Sequence, residues 1–362
     1  MRSFLNILFP GPVPALVLLL PLLAGPSPAA EGGCPPRRPE IVRARWLMGT
    51  VLEVRLPGGT PGEDSLVEAV FQEVSKVEAA ASLWRPGTEL SEVHARTAAG
   101  EPAVLSETLG SLVQEALAAA DLTGGAYSPA VGALVSSYDL RGQGRWPSEA
   151  EKRGAAALAR LEGVRYDPAT RTLRLGPGVT LDFDGIAKGF ALDRAAAALR
   201  ARGVDDALLN FGGQILSVGP PARCPAKEAI VADSAAPDGG SLRVPVRDAS
   251  LSTSADSERV RTVAGKEAGH LLDPRTGTFV RLPGSVSVLA PTGALADALS
   301  TAWAVAGPDG YSRSLDDSPL RRAGAVAFVL KSRDGRVETL ADPPFERIHP
   351  PVRLAAEAFS RP

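Results

Sequence analysis

Hydrophobic and polar positions along this chain follow two periods, one of two residues that is typical of strands and one of about 3.6 residues that is typical of helices. The shorter period predicts strands at residues 51–56, 172–181, 208–211, 228–232, 241–246, 249–253 and 286–290. The longer period predicts helices at residues 64–81, 106–123, 186–202 and 294–306. Because these elements are interspersed without a regular strand–helix–strand rhythm, we expect an α+β fold rather than a doubly wound sheet.

The amino-terminal residues 1–30 have the pattern of an export signal, in which Arg2 precedes an apolar run at residues 13–23 and small residues follow. An uncleaved membrane anchor is the alternative, but the run is short for a bilayer span. We therefore expect a signal peptide at 1–30, a linker at 31–41, one domain at 42–345 and a carboxyl-terminal tail at 346–362. The predicted location is the periplasm or cell envelope.

The two cysteines of the chain, Cys34 and Cys224, leave two options open. Cys34 closely follows the predicted signal, which suggests a lipid anchor, although Glu31 stands where a lipobox has leucine. A disulfide between the two cysteines is the other option in an oxidising compartment. With three histidines in the whole chain, no zinc-ligand spacing occurs.

The overall charge argues against one class of partner. The formal net charge is −2, so the chain lacks the basic surface that nucleic-acid binding requires. A hydrophobic content of 44% is ordinary for a globular domain. We therefore expect no nucleic-acid partner.

A strand-to-helix junction at residues 181–190 is the first candidate for chemistry. Two glycines there allow close approach of the backbone to a ligand, and the start of the predicted helix favours an anion. Lys188 adds a positive charge, whereas Asp182 and Asp184 suit a cation or a hydroxyl. A capped helix with surface charges is an equally weighted alternative for these residues alone.

Two turns add polar residues. Residues 210–214 form a Gly-Gly turn after a strand, without the spacing of a phosphate-binding Walker loop or a dinucleotide-binding fingerprint. Residues 270–277 form a turn bracketed by Asp-Pro and Thr-Gly that presents His270, Asp273 and Arg275 together. A lone histidine is more often structural, but these neighbours favour a functional site.

The last predicted helix carries a pair of oxygen donors. Asp297 and Thr301 are four residues apart, so their side chains lie on the same helix face. A carboxylate and a hydroxyl suit Mg²⁺ and leave room for water and phosphate oxygens. Capping of the helix by Asp297 is the alternative, which its position several residues inside the helix disfavours.

In this order and spacing, the four segments resemble the ApbE family of FAD:protein FMN transferases. The family patterns are Asp-x-x-Gly-Ile-Ala-Lys-Gly-aromatic-Ala-x-Asp, Asn-x-Gly-Gly, His-x-x-Asp-Pro-x-Thr-Gly and Ala-Asp-Ala-x-x-Thr, and they are matched at residues 182–193, 210–213, 270–277 and 296–301. The resemblance extends from about residue 48 to 307. It implies a single large ApbE-like, T-fold-like domain with mixed sheets and packed helices.

The resemblance also implies an activity, in which the FMN half of FAD passes to a threonine or serine hydroxyl of an acceptor protein and AMP is released. It implies Mg²⁺ as cofactor and, as one candidate acceptor, a subunit of a membrane redox complex. The implied metal ligands are Asp297, Thr301 and the carbonyl of Ala187. The implied catalytic residues are His270, Asp297 and Lys188. The implied FAD contacts are Met48, Trp84, Ala126, Tyr127, Ser128, Asp184, Phe190 and Leu272.

The chain differs from the family pattern at three places: Tyr127-Ser128 replaces a frequent Phe-Asp, His94 replaces a frequent Asn, and Ala255 replaces a frequent Gly. These differences keep FAD binding without transfer open as an alternative. The resemblance adds a second alternative, Mg²⁺-dependent hydrolysis of FAD to FMN and AMP. The base that accepts the proton of the acceptor hydroxyl is either His270 or a carboxylate near the metal.

Overall fold

An antiparallel sheet of eight strands, with helices packed on it, organises the structure. The structure is a computed structural model that describes residues 39–219, 226–232, 241–255, 261–263, 265–269, 271–280, 285–316, 326–333 and 336–341. Its strands are β1 (Glu40–Leu47), β2 (Thr50–Pro57), β3 (Ala103–Val104), β4 (Val164–Asp167), β5 (Thr172–Leu175), β6 (Ala207–Phe211), β7 (Gln214–Val218), β8 (Lys227–Ala232), β9 (Ser241–Val246), β10 (Ser250–Ala255), β11 (Arg261–Val263), β12 (Lys266–Ala268), β13 (Leu272–Asp273), β14 (Thr278–Phe279), β15 (Ser285–Ala290), β16 (Val326–Arg333) and β17 (Arg336–Ala341).

The main sheet has the strand order β1-β2-β6-β7-β10-β15-β16-β17, and the other strands form small separate sheets. Because the main sheet includes both the first and the last described strands, the chain folds as one domain. Every strand pair in the described part of the chain is antiparallel. The expected α+β class is confirmed. The sheets of the described residues differ in size, from two to eight strands, but all of them are antiparallel.

The helices are α1 (Glu63–Ala81), α2 (Glu89–Ala98), α3 (Glu107–Leu122), α4 (Gly132–Ser137), α5 (Glu149–Leu158), α6 (Ala187–Arg200) and α7 (Gly293–Asp316), with short 3₁₀ helices at Pro129–Val131 and Leu161–Gly163. Three of the helices, α1, α6 and α7, pack on the main sheet. α6 packs against both α1 and α7, and α7 packs on β10 and β15. No helix in these described ranges is long and apolar enough to cross a membrane.

Most sequence-predicted elements form close to their expected bounds. The helix expected at 106–123 is α3, and the Ser106 side chain caps it by accepting a hydrogen bond from the Leu109 amide. Within α7, Gly307 has a positive φ of 68°, which interrupts the helix close to the predicted end at residue 306. These agreements indicate that local sequence signals determine the ends of the long helices.

The strand predicted at 172–181 is wrong in its second half. β5 ends at Leu175, where Gly-Pro-Gly follows. Proline has no amide hydrogen for a sheet, and Gly178 has a left-handed φ of 77°. The chain beyond this turn, up to the start of α6, runs outside any strand.

Candidate metal and flavin site

Asp297 lies in the second turn of α7 and is almost completely buried, with 6% of its surface exposed. Its Oδ2 accepts a hydrogen bond of 3.2 Å from the backbone amide of Gly189, in the first turn of α6. Burial raises the pKa of the Asp297 carboxyl, whereas the charge of Lys188, the Gly189 amide and the Ser252 hydroxyl favour its ionised form. Asp297 therefore joins two helices rather than capping its own.

Asp193 of α6 makes the reciprocal contact with α7. Its two carboxylate oxygens accept hydrogen bonds from the amides of Gly293 at 2.6 Å and Ala294 at 2.8 Å, at the start of α7. The Gln214 side-chain amide donates to the Gly293 carbonyl at 2.9 Å. Burial raises the pKa of Asp193 to about 6. These contacts fix where α7 begins and hence where Asp297 points.

Close helix contact at this point requires glycine. A Cβ on Gly189 would lie 2.0 Å from the carbonyl oxygen of Gly293, a distance that no side chain can occupy. The amide of Gly189 can reach Asp297 because the two helices touch through their backbones here. The glycine in the Lys-Gly part of the sequence pattern therefore has a packing role.

Thr301 lies one turn after Asp297 and is half-buried. Gly185 faces it, since a Cβ on Gly185 would lie 3.3 Å from Thr301 Oγ1 and 3.4 Å from Tyr127 Cε2. Ala187 is the first residue of α6 and is buried. The loop before α6 and the predicted metal helix therefore lie side by side.

The donor set predicted from the sequence suits Mg²⁺ chemically. It consists of one carboxylate, one hydroxyl and one backbone carbonyl, and Mg²⁺ commonly takes one or two carboxylates together with water and substrate phosphates. Among the described residues, no three His, Cys, Asp or Glu side chains are grouped as a metal site. A set with a single carboxylate would not form such a group, so metal binding by these three residues stays a prediction.

Lys188 and the start of α6 supply positive charge beside Asp297. Lys188 is half-buried, and its charge stabilises the Asp297 carboxylate. Ile186, the residue before α6, supplies no capping side chain, but two of the first three amides of the helix have partners. Ala187 donates to the Phe183 carbonyl at 2.8 Å, and Gly189 donates to Asp297. The positive end of the helix dipole and the Lys188 amide between them favour an anion such as a diphosphate.

Asp182 and Asp184, in the loop before α6, share one cation. Asp182 is 3% exposed, and its Oδ2 accepts from Nη2 of Arg141. The same nitrogen lies 3.3 Å from Oδ2 of Asp184, which is exposed. Burial and the charge of Asp184 raise the pKa of Asp182 to about 6, and Arg141 opposes that rise. Arg141 was not predicted from the sequence, although a buried aspartate requires a cationic partner.

Trp84 joins this cluster from the loop before α2. Its indole Nε1 donates a hydrogen bond of 3.3 Å to Asp184 Oδ2, and the guanidinium carbon of Arg141 lies 5.4 Å from its ring centroid. The indole is 61% exposed. The structure therefore brings together two of the predicted FAD contacts, Trp84 and Asp184, and leaves an aromatic surface open beside them.

Met48 is connected to the same region through Glu78. Met48 occupies the turn between β1 and β2 with a φ of 45°, and its amide donates to Glu78 Oε1 at 3.1 Å. Oε2 of Glu78 pairs with Arg85 at 3.2 Å, next to Trp84 in the chain. A single glutamate thus links two segments for which FAD contacts are predicted.

The segment Ala126-Tyr127-Ser128 is buried throughout. The Ser128 hydroxyl donates to the Ala159 carbonyl at 2.6 Å and accepts from the Ala130 amide at 3.1 Å. The donor hydrogen of this hydroxyl is therefore in use, and the hydroxyl could contact FAD only as an acceptor, through its second lone pair. Burial raises the pKa of Tyr127 well above its usual value, and the carboxylates of Asp297, Asp182 and Asp184 add to the rise.

A cavity of about 580 Å³ adjoins this segment but not the metal helix. It is lined by the end of α3, the loop after it, the 3₁₀ helix at Leu161–Gly163 and the turn after β13. Neither Asp297 nor Thr301 belongs to its wall. The chemistry of the side chains therefore indicates the site at α7 more strongly than this cavity does.

Phe190, Leu272 and His270 are the remaining predicted site residues. Phe190 and Leu272 are packed in the hydrophobic core, with 2% and 8% of their surfaces exposed, and their FAD contacts stay predictions. His270 lies outside the described residues. Its proposed place beside the diphosphate is therefore carried by the sequence pattern alone.

His94, one of the differences from the family pattern, supports the loop of Asp182. Its Nε2 accepts a hydrogen bond of 3.0 Å from the Leu181 amide, so this nitrogen is unprotonated. Burial, and secondarily the charge of Arg141, lowers the pKa of His94 to about 4. The side chain acts as a neutral acceptor that holds the backbone just before the loop.

A row of serine hydroxyls on β10 was also missed from the sequence. Ser252 is buried, and its Oγ accepts a hydrogen bond of 3.2 Å from Ser300 Oγ on α7, which also lies 3.0 Å from Ser254 Oγ. Alternation of serine at 250, 252 and 254 was the signal that could have identified this row, because alternate strand residues share one face.

This geometry matches a known family over most of the chain. The model of the ApbE family matches residues 48–323. An FAD:protein FMN transferase of Rhodobacter capsulatus is 32% identical over 284 residues, which are 76% of this chain and 53% of that protein. An FAD:protein FMN transferase of Treponema pallidum (strain Nichols) is 32% identical over 329 residues, which are 83% of this chain and 87% of that protein.

Solved structures give the same result. The ApbE protein of Thermotoga maritima superposes with a TM-score of 0.74 at 25% identity, covering 85% of this chain and 99% of that one. The apo flavinyl transferase ApbE of Pseudomonas stutzeri superposes with a TM-score of 0.72 at 24% identity, covering 85% and 96%, and shows the shared fold. Fold and site thus define an α+β protein of the flavin-transferase class. The chain belongs to the ApbE family.

Proposed function

We propose that this chain transfers the FMN half of FAD to a threonine or serine hydroxyl of an acceptor protein and releases AMP. The similarity to two FAD:protein FMN transferases supports the reaction class. The observation that carries the proposal is the buried Asp297 carboxylate, which lies beside Lys188 and bonds the first turn of α6.

In the proposed reaction, the acceptor oxygen forms a bond to the phosphorus of the FMN half. The bond from that phosphorus to the oxygen of the AMP phosphate breaks, and the hydroxyl proton passes to a base. AMP leaves with the electron pair of the broken bond. The base is His270 or a carboxylate near the metal, as the sequence left open.

Two groups of residues in this chain would bind different parts of FAD, one group the diphosphate and the other the flavin. Asp297, Thr301 and the Ala187 carbonyl would hold Mg²⁺, which when bound neutralises charge on the diphosphate oxygens. The side chain and amide of Lys188, at the positive end of the α6 dipole, would bind the diphosphate. At the other end, Trp84 and Asp184 would orient the flavin.

We also propose that the protein is exported to the periplasm or cell envelope and acts on an acceptor there. The sequence of residues 1–30 and the position of Cys34 support this location. Cys34 and Cys224 both lie outside the described residues, so lipid attachment and a disulfide remain the two options for them.

The experiment that tests the function is a product balance. The chain is incubated with FAD and Mg²⁺, with and without a threonine-containing acceptor, and AMP, free FMN and acceptor-linked flavin are quantified. Transfer predicts AMP and acceptor-linked flavin in equal amounts, and loss of both in EDTA.

Two other outcomes would contradict transfer. Equal amounts of AMP and free FMN without acceptor would identify an FAD pyrophosphatase. Bound FAD without AMP formation, in the presence of acceptor and Mg²⁺, would identify a protein that only binds the nucleotide.

A further inference from the structure

The hydroxyl of Tyr127 has no hydrogen-bond partner in the described part of the chain and is closed off from solvent. The rest of the residue is well anchored, since its amide donates to Thr123 Oγ1 at 3.2 Å and its ring is buried. An unpaired hydroxyl in a buried position is uncommon, because it loses its bonds to water without replacement.

The position of this hydroxyl connects it to the metal helix. The ring edge of Tyr127 and the Thr301 side chain lie on the same side of Gly185, within 3.4 Å and 3.3 Å of where its Cβ would be. The carboxylates of Asp297, Asp182 and Asp184 all act electrostatically on the Tyr127 hydroxyl. Tyr127 therefore lies beside the predicted diphosphate site rather than in a remote part of the core.

The neighbouring carboxylates have other hydrogen-bond donors as partners. Asp182 accepts from Arg141 and from the Asp184 amide, and Asp297 accepts from the Gly189 amide. None of these bonds involves the Tyr127 hydroxyl, which lacks an acceptor in the described part of the chain. A ligand with exposed oxygen atoms would supply that acceptor.

We propose that the Tyr127 hydroxyl donates a hydrogen bond to an oxygen of the group that binds at Asp297, either a phosphate oxygen of FAD or a water held by the metal. The inference rests on the proposed function, because it takes FAD and Mg²⁺ as the ligands. It makes Tyr127 a positioning residue that this chain has where phenylalanine is frequent in the family.

The test is the substitution Tyr127→Phe, which removes the hydroxyl and keeps the ring. Tyr138→Phe is the matched control, since the Tyr138 hydroxyl is paired with the Gly277 carbonyl at 2.7 Å. Unfolding midpoints of the full chain are measured without FAD. Equilibrium dissociation constants for FAD are then measured in EDTA and in Mg²⁺, so that no turnover is needed for the readout.

Without FAD, Tyr127→Phe should unfold at the same midpoint as the parent chain or a higher one, whereas Tyr138→Phe should unfold at a lower one. The dissociation constant for FAD should rise about tenfold in Tyr127→Phe, as expected for one hydrogen bond to a charged acceptor, and should be unchanged in Tyr138→Phe. A rise that is present in EDTA identifies a phosphate oxygen, and a rise only in Mg²⁺ identifies water on the metal.

Two results would overturn the inference. A lowered midpoint of ligand-free Tyr127→Phe would show that the hydroxyl already has a partner, and equal FAD affinity of parent and variant would show that it does not meet the ligand. Failure of the proposed function is a separate result, because it appears as absence of AMP in the parent chain.

Discussion

Asp193 and Asp297 form reciprocal contacts between α6 and α7: Asp193 of α6 accepts two amide hydrogen bonds from the start of α7, and Asp297 of α7 accepts one from the first turn of α6. Each helix thus carries a carboxylate that accepts hydrogen bonds from first-turn amides of the other helix. The position of the predicted metal carboxylate therefore depends on a contact made by a residue that does not belong to the predicted metal site.

Asp193→Ala should lower the free energy of unfolding by about 1–2 kcal/mol, the usual effect of losing a helix cap. It should also weaken activity, because α7 would no longer be fixed at its start. Urea unfolding and a Mg²⁺ titration of AMP release measure the two effects. Asp193→Asn, which keeps one acceptor oxygen, should lie between parent and alanine variant. Equal stability of all three chains would contradict the capping role.

Gly189→Ala should strongly destabilise the protein, since its Cβ would meet the Gly293 carbonyl oxygen at 2.0 Å. Overpacking of this kind costs about 1–3 kcal/mol or more. The matched control is Gly154→Ala in α5, where no atom lies within 4 Å of a Cβ. That change should stabilise the helix by up to about 1 kcal/mol. Similar thermal midpoints for both variants would refute the close helix contact.

Arg141→Met should destabilise the protein by about 3 kcal/mol, because it leaves the buried Asp182 carboxylate without its cation. Adding Asp182→Asn to that variant should recover most of the loss, since no buried charge then remains. Chemical denaturation of the two single variants and the double variant gives the coupling free energy. Additive effects of the two substitutions would show that the pair is not coupled.

His94 should make the free energy of unfolding depend on pH. Its pKa falls from 6.5 in the unfolded chain to about 4 in the folded protein, so the unfolded chain binds a proton first as pH decreases. The contribution of neutral His94 to the free energy of unfolding is complete above pH 6.5 and is lost as the pH falls from 6.5 towards 4.

The variant His94→Asn isolates this effect, because an asparagine oxygen can accept from the Leu181 amide without titrating. The difference in unfolding free energy between parent and variant should change across this pH range and stay constant above it. A difference that does not vary with pH would contradict a neutral, half-buried His94.

The sequence predicts those features of the structure that depend on the spacing of neighbouring residues. The α+β class and the helix that carries Asp297 and Thr301 followed from periodicity, and the end of α3 from its glycines. Helices α2 and α5 were missed, because α2 buries few side chains and α5 buries mainly alanines and part of Lys152.

The contacts that complete the site are long-range and therefore escaped sequence reasoning. Arg141 reaches Asp182 across 41 positions, and Asp193 reaches Gly293 across 100. No local sequence pattern predicts either of these two contacts. The motif contained Asp193, but only the packing of α6 against α7 shows what its carboxylate does.

The most direct test of the central claim is the mass of an acceptor protein after incubation with the full chain, FAD and Mg²⁺. Fragmentation should locate one FMN on a threonine or serine of the acceptor, with one AMP released per FMN attached. Asp297→Ala should remove this modification while the chain keeps its fold, as judged by circular dichroism. An acceptor modified equally by the parent chain and by Asp297→Ala, or an acceptor that the parent leaves unmodified while FAD is bound, would contradict the account.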